Sequence, residues 1–236
     1  MLNSIIKRAV TLVLGMTLGV HAALLVRYTF DVDGSFSANP TTVAEHYLAT
    51  SIGTTFNNSG SWPVAAPKDD QRLRWARSNS SGWIVREAGE SIDDVEERTV
   101  STPNLYFHFT ITPEPEAPYL SLDRLTFETA WANVDPEAVI FVRSNADGDD
   151  FSTTLGAFDI DSGNSGGTIQ AGNLTEHTIN LAASDVDFSD ITGGVAFRFY
   201  MYSREGAATA QGNVAGFSNV QLLAIAPPPG TLLMMR

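Results

Sequence analysis

"NLYFHFTIT", residues 104–112, alternates with a period of two. Leu105, Phe107, Phe109 and Ile111 point one way, and Tyr106, His108, Thr110 and Thr112 the other, because successive side chains of an extended chain leave opposite faces. "VAFRFYMYS", residues 195–203, repeats the pattern. There Val195, Phe197, Phe199 and Met201 alternate with Ala196, Arg198, Tyr200 and Tyr202. One face of each run is apolar enough to be buried and the other polar enough to meet water, as in an antiparallel sheet.

Similar runs recur at 24–31, 43–52, 72–77, 82–86, 120–131, 138–144, 153–160, 173–181 and 214–225, separated by Gly, Asn, Asp, Ser and Pro. In 120–131 the pattern slips between Leu122 and Leu125, which predicts a bulge or bend near Asp123-Arg124. The most charged stretch, "EAGESIDDVEERTVSTP" at 87–103, reads as a surface loop or a short helix between strands. No helical period persists after the first two dozen residues. About ten short strands joined by turns predict an all-β chain: an antiparallel two-sheet β-sandwich of jelly-roll type.

The first residues, "MLNSIIKRAVTLVLGMTLGVHAA", are organised differently. Lys7 and Arg8 precede an apolar run from Ala9 to Val20, and Val20-His21-Ala22 places small residues at the cleavage-determining positions. That is the pattern of a secretory signal peptide over 1–22, with the mature chain expected to begin near Ala23; the alternative is an uncleaved anchor. The run is too short to cross a bilayer, which takes about 20 apolar residues. Losing Lys7 and Arg8 takes the net charge from −13 to −15. Such a surface repels phosphate backbones, so nucleic acid is not an expected partner. The chain has no cysteine. Disulfides, thiolate zinc sites and thiol nucleophiles are therefore excluded, and some two hundred residues can bury an adequate core without them.

Candidate chemistry is sparse. His46, His108 and His177 each sit in a strand pattern at no ligand spacing, and read as ordinary half-exposed histidines. No serine lies in a G-x-S-x-G frame, and "SGNSGG" at 162–167 is a turn rather than a phosphate loop. Two acidic turns raise calcium: "DVDGS", Asp31 to Ser35, and "NADGDD", Asn145 to Asp150. An EF-hand frame on the second places Arg143 and Thr154 where Asp and Glu are required, and Asp-Gly is itself a hairpin signal. No metal and no cofactor are expected. The surface with most binding potential is the polar face of the two quoted strands. If they share a sheet, Tyr106, His108, Arg198, Tyr200 and Tyr202 lie together and can stack on and hydrogen-bond to a sugar. Cross-strand ring and Arg pairs stabilise an exposed sheet face by the same contacts. Trp62, Trp75, Trp83 and Trp131 read as core or loop-packing residues.

The last residues, "APPPGTLLMMR" at 226–236, resemble the bacterial PEP-CTERM sorting signal, which runs Val-Pro-Glu-Pro-Gly/Ser-Thr into an apolar helix and a basic tail. Pro227, Pro229, Gly230 and Thr231 match; Pro228 stands where that family has Glu, and Ala226 where Val is common. The body of the chain is similar to one group of these proteins. "NLYFHFTITPEPEAPYLSLDRLTFET" resembles their aromatic strand pair, "VIFVRSNADGDDFSTTL" their Arg-Ser-x-x-Asp-Gly hairpin, and "VAFRFYMYS" and "GFSNVQLLAI" their last two strands. The final strand of the group carries Asp-Asn-Val; here Ser218 replaces the Asp, and Asn219 and Val220 are retained. An Asp there can help bind calcium, so Ser218 argues against an ion.

The resemblance implies three segments: the signal peptide 1–22, a β-sandwich domain 23–226, and a truncated sorting signal 227–236 built on Pro227, Pro228, Pro229, Gly230 and Thr231. It implies a secreted, extracytoplasmic protein with a structural or adhesive role in extracellular matrix or envelope material. Its partners would be exopolysaccharide or other envelope components, and an exosortase-type enzyme if the signal works. Only Leu232 to Met235 follow the Gly-Thr, about 6 Å of helix at 1.5 Å per residue, so release rather than anchoring is expected. No catalysis is expected. The alternatives are a carbohydrate-binding module using the aromatic face, and a hydrolase with a carboxylate pair.

Overall fold

The computed structural model describes residues 22–32, 35–54, 73–76, 84–102, 106–117, 120–131, 138–160, 174–204 and 214–225. The expected signal peptide through His21, "SGNSGG", Trp62, Trp83 and the proline-rich end from Ala226 lie outside them, as do the side chains of Trp75 and Trp131. Eight long elements carry the architecture: β1 (Ala22–Tyr28), β8 (Tyr106–Pro113), β9 (Leu122–Trp131), β10 (Ala138–Ser144), β11 (Thr154–Ile160), β12 (Thr175–Asn180), β13 (Val195–Ser203) and β14 (Val214–Ile225). Short strands β4 (Thr42–Val43), β5 (Tyr47–Ala49), β6 (Gly53–Thr54) and β7 (Leu73–Ala76) complete the sheets, β2 (Asp31–Val32) and β3 (Ser35–Phe36) pair with each other, and one α-helix among the described residues, α1 (Ile92–Ser101), lies outside them.

The first sheet runs β12-β9-β14-β1-β4, with β7 also on β14; the second runs β11-β10-β13-β8-β5, with β6 also on β8. All these pairings are antiparallel. The pairs β1/β14, β8/β13, β9/β12 and β10/β11 nest inside one another along the chain. A ribbon of four such pairs wrapped into two sheets is the jelly-roll winding, as the strand pattern predicts.

Alternation decides what goes inside. Phe107, Phe109 and Ile111 of β8 and Val195, Phe197, Phe199 and Met201 of β13 are buried and face Leu122, Leu125 and Phe127 of β9. Rings interlock between the sheets: Phe107 stacks on Phe217 at 5.7 Å, and Phe199 meets Phe217 and Phe127 at 4.9 and 5.3 Å. Each such pair contributes roughly 0.5–1.5 kcal/mol beyond the area it buries.

The expected irregularity near Asp123-Arg124 is a bulge: Leu223 pairs with Arg124 and Ala224 with Leu122, so Asp123 has no opposite number. A second bulge falls in β14. Asn219 takes φ 46°, and the register shifts between Ser218 and Gln221. The extra residue lets Phe217 and Val220 both point inward.

The run at 43–52 is not one strand. β4 pairs with β1 in the first sheet and β5 with β8 in the second, so the chain crosses between sheets at Ala44–His46, where His46 adopts φ 68°. The run at 82–86 is a single parallel bridge from Val85 to Ser203. β1 and β14 meet end to end, Ala22 opposite Ile225.

Candidate functional site

The outer face of the second sheet gathers the five residues that period two placed together. β8 and β13 pair in a register that sets Tyr106 opposite Tyr200 and His108 opposite Arg198. β10 and β11 extend these rows. One reads Asp159, Val139, Tyr202; the next Ala157, Phe141, Tyr200, Tyr106; the third Arg143, Arg198, His108. Gly53 of β6 closes the third row, and a Cβ there would sit 2.5 Å from His108 Cε1, so only glycine fits without displacing the imidazole.

This face is not an open platform, and the expected exposure of its tyrosines is corrected by the structure. Tyr200 is 0% exposed and Tyr202 3% exposed. The cover is α1, which lays Val95 onto Val139, Phe141, Tyr200 and Tyr202 as a second small core, flanked by Ile84, Val100 and Tyr106. Phe141 stacks on Tyr200 at 5.1 Å, and Tyr106 meets Tyr200 tilted at 5.2 Å. The helix starts where the sequence allows. Ser91 caps it, its Oγ accepting from Asp94 N at 3.1 Å, with Asp93 and Asp94 in the first turn and Arg98 in the last. Arg98 donates to both oxygens of Glu90 and to Val85 O, which fixes the strap before the helix.

Beneath the helix the charges are paired. Arg143, 3% exposed, reaches Glu97 at 2.8 Å and Glu96 at 3.7 Å and donates to Phe151 O and Thr154 Oγ1. Burial raises the Glu96 carboxyl above its ordinary range, while the Thr154 hydroxyl and Arg143 pull it back. Arg198 is clamped between rings, its guanidinium carbon 3.5 Å from the Phe151 centroid and 4.6 Å from that of Tyr106. His108 is half-buried, and its Nδ1 has no hydrogen-bond partner among the described residues. Burial, and then the Arg198 charge, lower its pKa and keep the imidazole neutral.

What remains open is a cleft of about 510 Å³ at one end of this face, lined by Arg86, Ile92, Val139, Ala157, Asp159, Tyr202 and Arg204. Its floor is the row Asp159–Val139–Tyr202. Arg86 is delivered by the strap, whose backbone pairs with Ser203 (Arg86 N to Ser203 O, 2.9 Å). Ile92 opens α1 and is 52% exposed. Arg204 follows β13 and is ion-paired with Asp159. Of the five residues expected from sequence, Tyr202 alone lines this cleft. Arg86, Asp159 and Arg204 come from three separate segments and carry no shared spacing.

The other candidates resolve individually. In Asn145–Asp150 a 3-10 turn spans Ala146–Gly148, with φ positive at Asp147, Gly148 and Asp150. The Asp149 carboxylate accepts from Ser152 Oγ, Thr153 Oγ1 and Thr153 N, so this turn satisfies its own acid. Asp31–Ser35 forms the β2–β3 hairpin; Asp33, Gly34 and the side chains around them lie outside the described residues. His177 is buried rather than half-exposed, because its position on β12 faces the core: Nε2 lies 2.7 Å from Thr129 Oγ1 and the ring 4.8 Å from Phe158. His46, Glu114 and Glu116 bring potential ligand atoms within 4.8 Å of one another at the surface. Among the described residues no helix is long and apolar enough to cross a membrane.

No protein-family model and no curated protein matches the chain. Among solved structures it is similar to the K3 cleaved adhesin domain of Lys-gingipain from Porphyromonas gingivalis W83, with 14% identity, 85% of this chain and 99% of that chain covered, and a TM-score of 0.36. The K1 domain of the same protein gives 14% identity, 83% and 95% coverage and a TM-score of 0.35. The K2 domain of Lys-gingipain gives 12%, 85%, 97% and 0.35. At these scores the architecture rests on the chain's own strand pairing.

Proposed function

We propose that this chain is an exported adhesive β-sandwich of the PEP-CTERM type, which associates non-catalytically with envelope or extracellular-matrix material. The observation that carries the reading is the cleft beside α1. Rigid neighbouring strands hold a tyrosine and an ion pair beside a second arginine and the apolar Ile92, Val139 and Ala157, and a few polar groups on a concave, partly apolar surface make a binding site. The leader-like first 22 residues and the "APPPGTLLMMR" end support export, and their two roles are address rather than chemistry.

The test is fractionation of the producing cell followed by rebinding. The protein is expected outside the cytoplasm, beginning near Ala23, and the purified chain should cosediment with isolated matrix or envelope material. Recovery in the cytoplasm with Met1 intact, or failure to cosediment, would overturn the reading. Resistance of membrane-bound protein to a high-salt wash would instead show that residues 226–236 act as an anchor.

A further inference from the structure

We propose that the cleft between α1 and the second sheet binds an acidic saccharide, with Arg86 and Arg204 taking the sugar carboxylate and Tyr202 and Asp159 its hydroxyls. The proposal deepens the adhesive reading and rests on it for the setting of the ligand.

Four observations lead there. First, Tyr202 is only 3% exposed yet lines the cleft, and its hydroxyl, which makes no hydrogen bond to a described residue, reaches the open space of the cleft rather than being sealed in. Burial, then the nearby Glu96 charge, push its pKa up to about 12, so it keeps its proton and is a donor at neutral pH. Second, Arg86 spends Nε on Glu90 O at 2.7 Å, which leaves its two Nη groups without a protein partner among the described residues. Guanidinium Nη groups on a rigid strap are suited to a carboxylate. Third, Arg204 and Asp159 are ion-paired but each is about half exposed. A carboxylate has roughly four lone-pair sites, so Asp159 can accept sugar hydroxyls while it keeps Arg204. Fourth, Val139, Ala157 and Ile92 supply apolar surface for the C–H face of a ring.

The combination selects the class. An acidic peptide offers a carboxylate to Arg86 but no hydroxyls to Asp159. A neutral sugar suits Asp159 and Tyr202 but leaves the Nη groups of Arg86 unused. A uronate carries both groups on one ring.

The experiment is calorimetric titration of the full exported chain with a short oligogalacturonate. Three further probes are the same oligomer fully methyl-esterified, a neutral glucan oligomer and a polyglutamate peptide. Saturable binding of the acid form is expected, with the ester and the glucan about tenfold weaker or worse, the loss of a charge-assisted hydrogen bond. Arg86→Gln should weaken binding by about tenfold and Tyr202→Phe by about three- to tenfold. Because the Tyr202 hydroxyl makes no hydrogen bond to a described residue, Tyr202→Phe should melt and give a circular dichroism spectrum like the parent, which separates lost binding from lost fold. The proposal is overturned by no binding of the acid form, by equal binding of the ester, by polyglutamate binding as tightly, or by a folded Tyr202→Phe protein of undiminished affinity. If any of these holds while the chain still cosediments with matrix material, the cleft assignment falls and the adhesive reading stands.

Discussion

On the outer side of the first sheet, Arg124, Thr126 and Glu128 of β9 stand opposite Asn180, Thr178 and Glu176 of β12, with solvent beyond them. On the outer side of the second, Phe141, Tyr200 and Tyr202 lie under α1 and are as buried as the rings between the sheets. Both faces show the same polar–apolar alternation along their strands. The difference is that one set of polar positions is merely wetted, whereas the other is aromatic and amphipathic and has been covered by a helix. Alternation therefore tells which residues share a face. It does not tell which faces end up in water.

The largest effects should come from rings, and they should be alike on the two sides of β13. Phe199→Ala, between the sheets, should cost about 3–5 kcal/mol. Tyr200→Ala, on the outer side, should cost nearly as much, about 3 kcal/mol or more, in a urea melt. A loss below about 0.5 kcal/mol, the size expected of a surface change, would show that α1 does not cover this face.

Next comes the charge layer beneath the helix. Arg143→Met leaves Glu96 buried without its cation and should cost about 3–5 kcal/mol. The sign for Glu96 itself is opposite to that of most paired acids. Its carboxyl is raised in the folded state from an ordinary 4.5. The stability it contributes is complete below 4.5 and is lost as pH rises through the raised folded value. Glu96→Gln should therefore gain on the parent as pH climbs through that window, and parallel pH curves for the two proteins would remove the burial argument.

Gly53→Ala sharpens the comparison at the edge of the same face. The added methyl meets the half-buried His108 ring and should cost about 1–3 kcal/mol. A neutral result would mean that the imidazole swings away freely. Smallest of all, Thr126→Ala on the wetted face should stay within about 0.5 kcal/mol; a loss as large as that of Tyr200→Ala would erase the contrast between the sheets.

The sandwich was legible in the sequence because β8 and β13 bury one face cleanly, and even the bulge at Asp123 showed as a slip in spacing. The common face of Tyr106, His108, Arg198, Tyr200 and Tyr202 was legible for the same reason. Their burial was not. The helix that covers them buries Val95, Glu96 and Thr99, two of them polar, so its inner stripe has no apolar signature. The available signal was at its ends: Ser91 followed by Asp93 and Asp94, with Arg98 in the last turn. The cleft was illegible because Arg86, Asp159 and Arg204 are brought together only by cross-strand register and by one parallel bridge at Val85. Register depends on which strands meet, and that is decided by long-range packing.

The pairing of Ala22 with Ile225 has a mechanical meaning. The first and last strands of the sandwich leave it at one pole of one sheet, while the cleft lies on the outer face of the other. A pull applied between residues 22 and 225 would unzip the β1–β14 ladder one rung at a time, a weak mode. Under the proposed role, tension between the chain at Ile225 and a ligand held at Tyr202 would instead travel across the stacked phenylalanines from sheet to sheet. It would load many contacts at once, so along that line the domain would yield last.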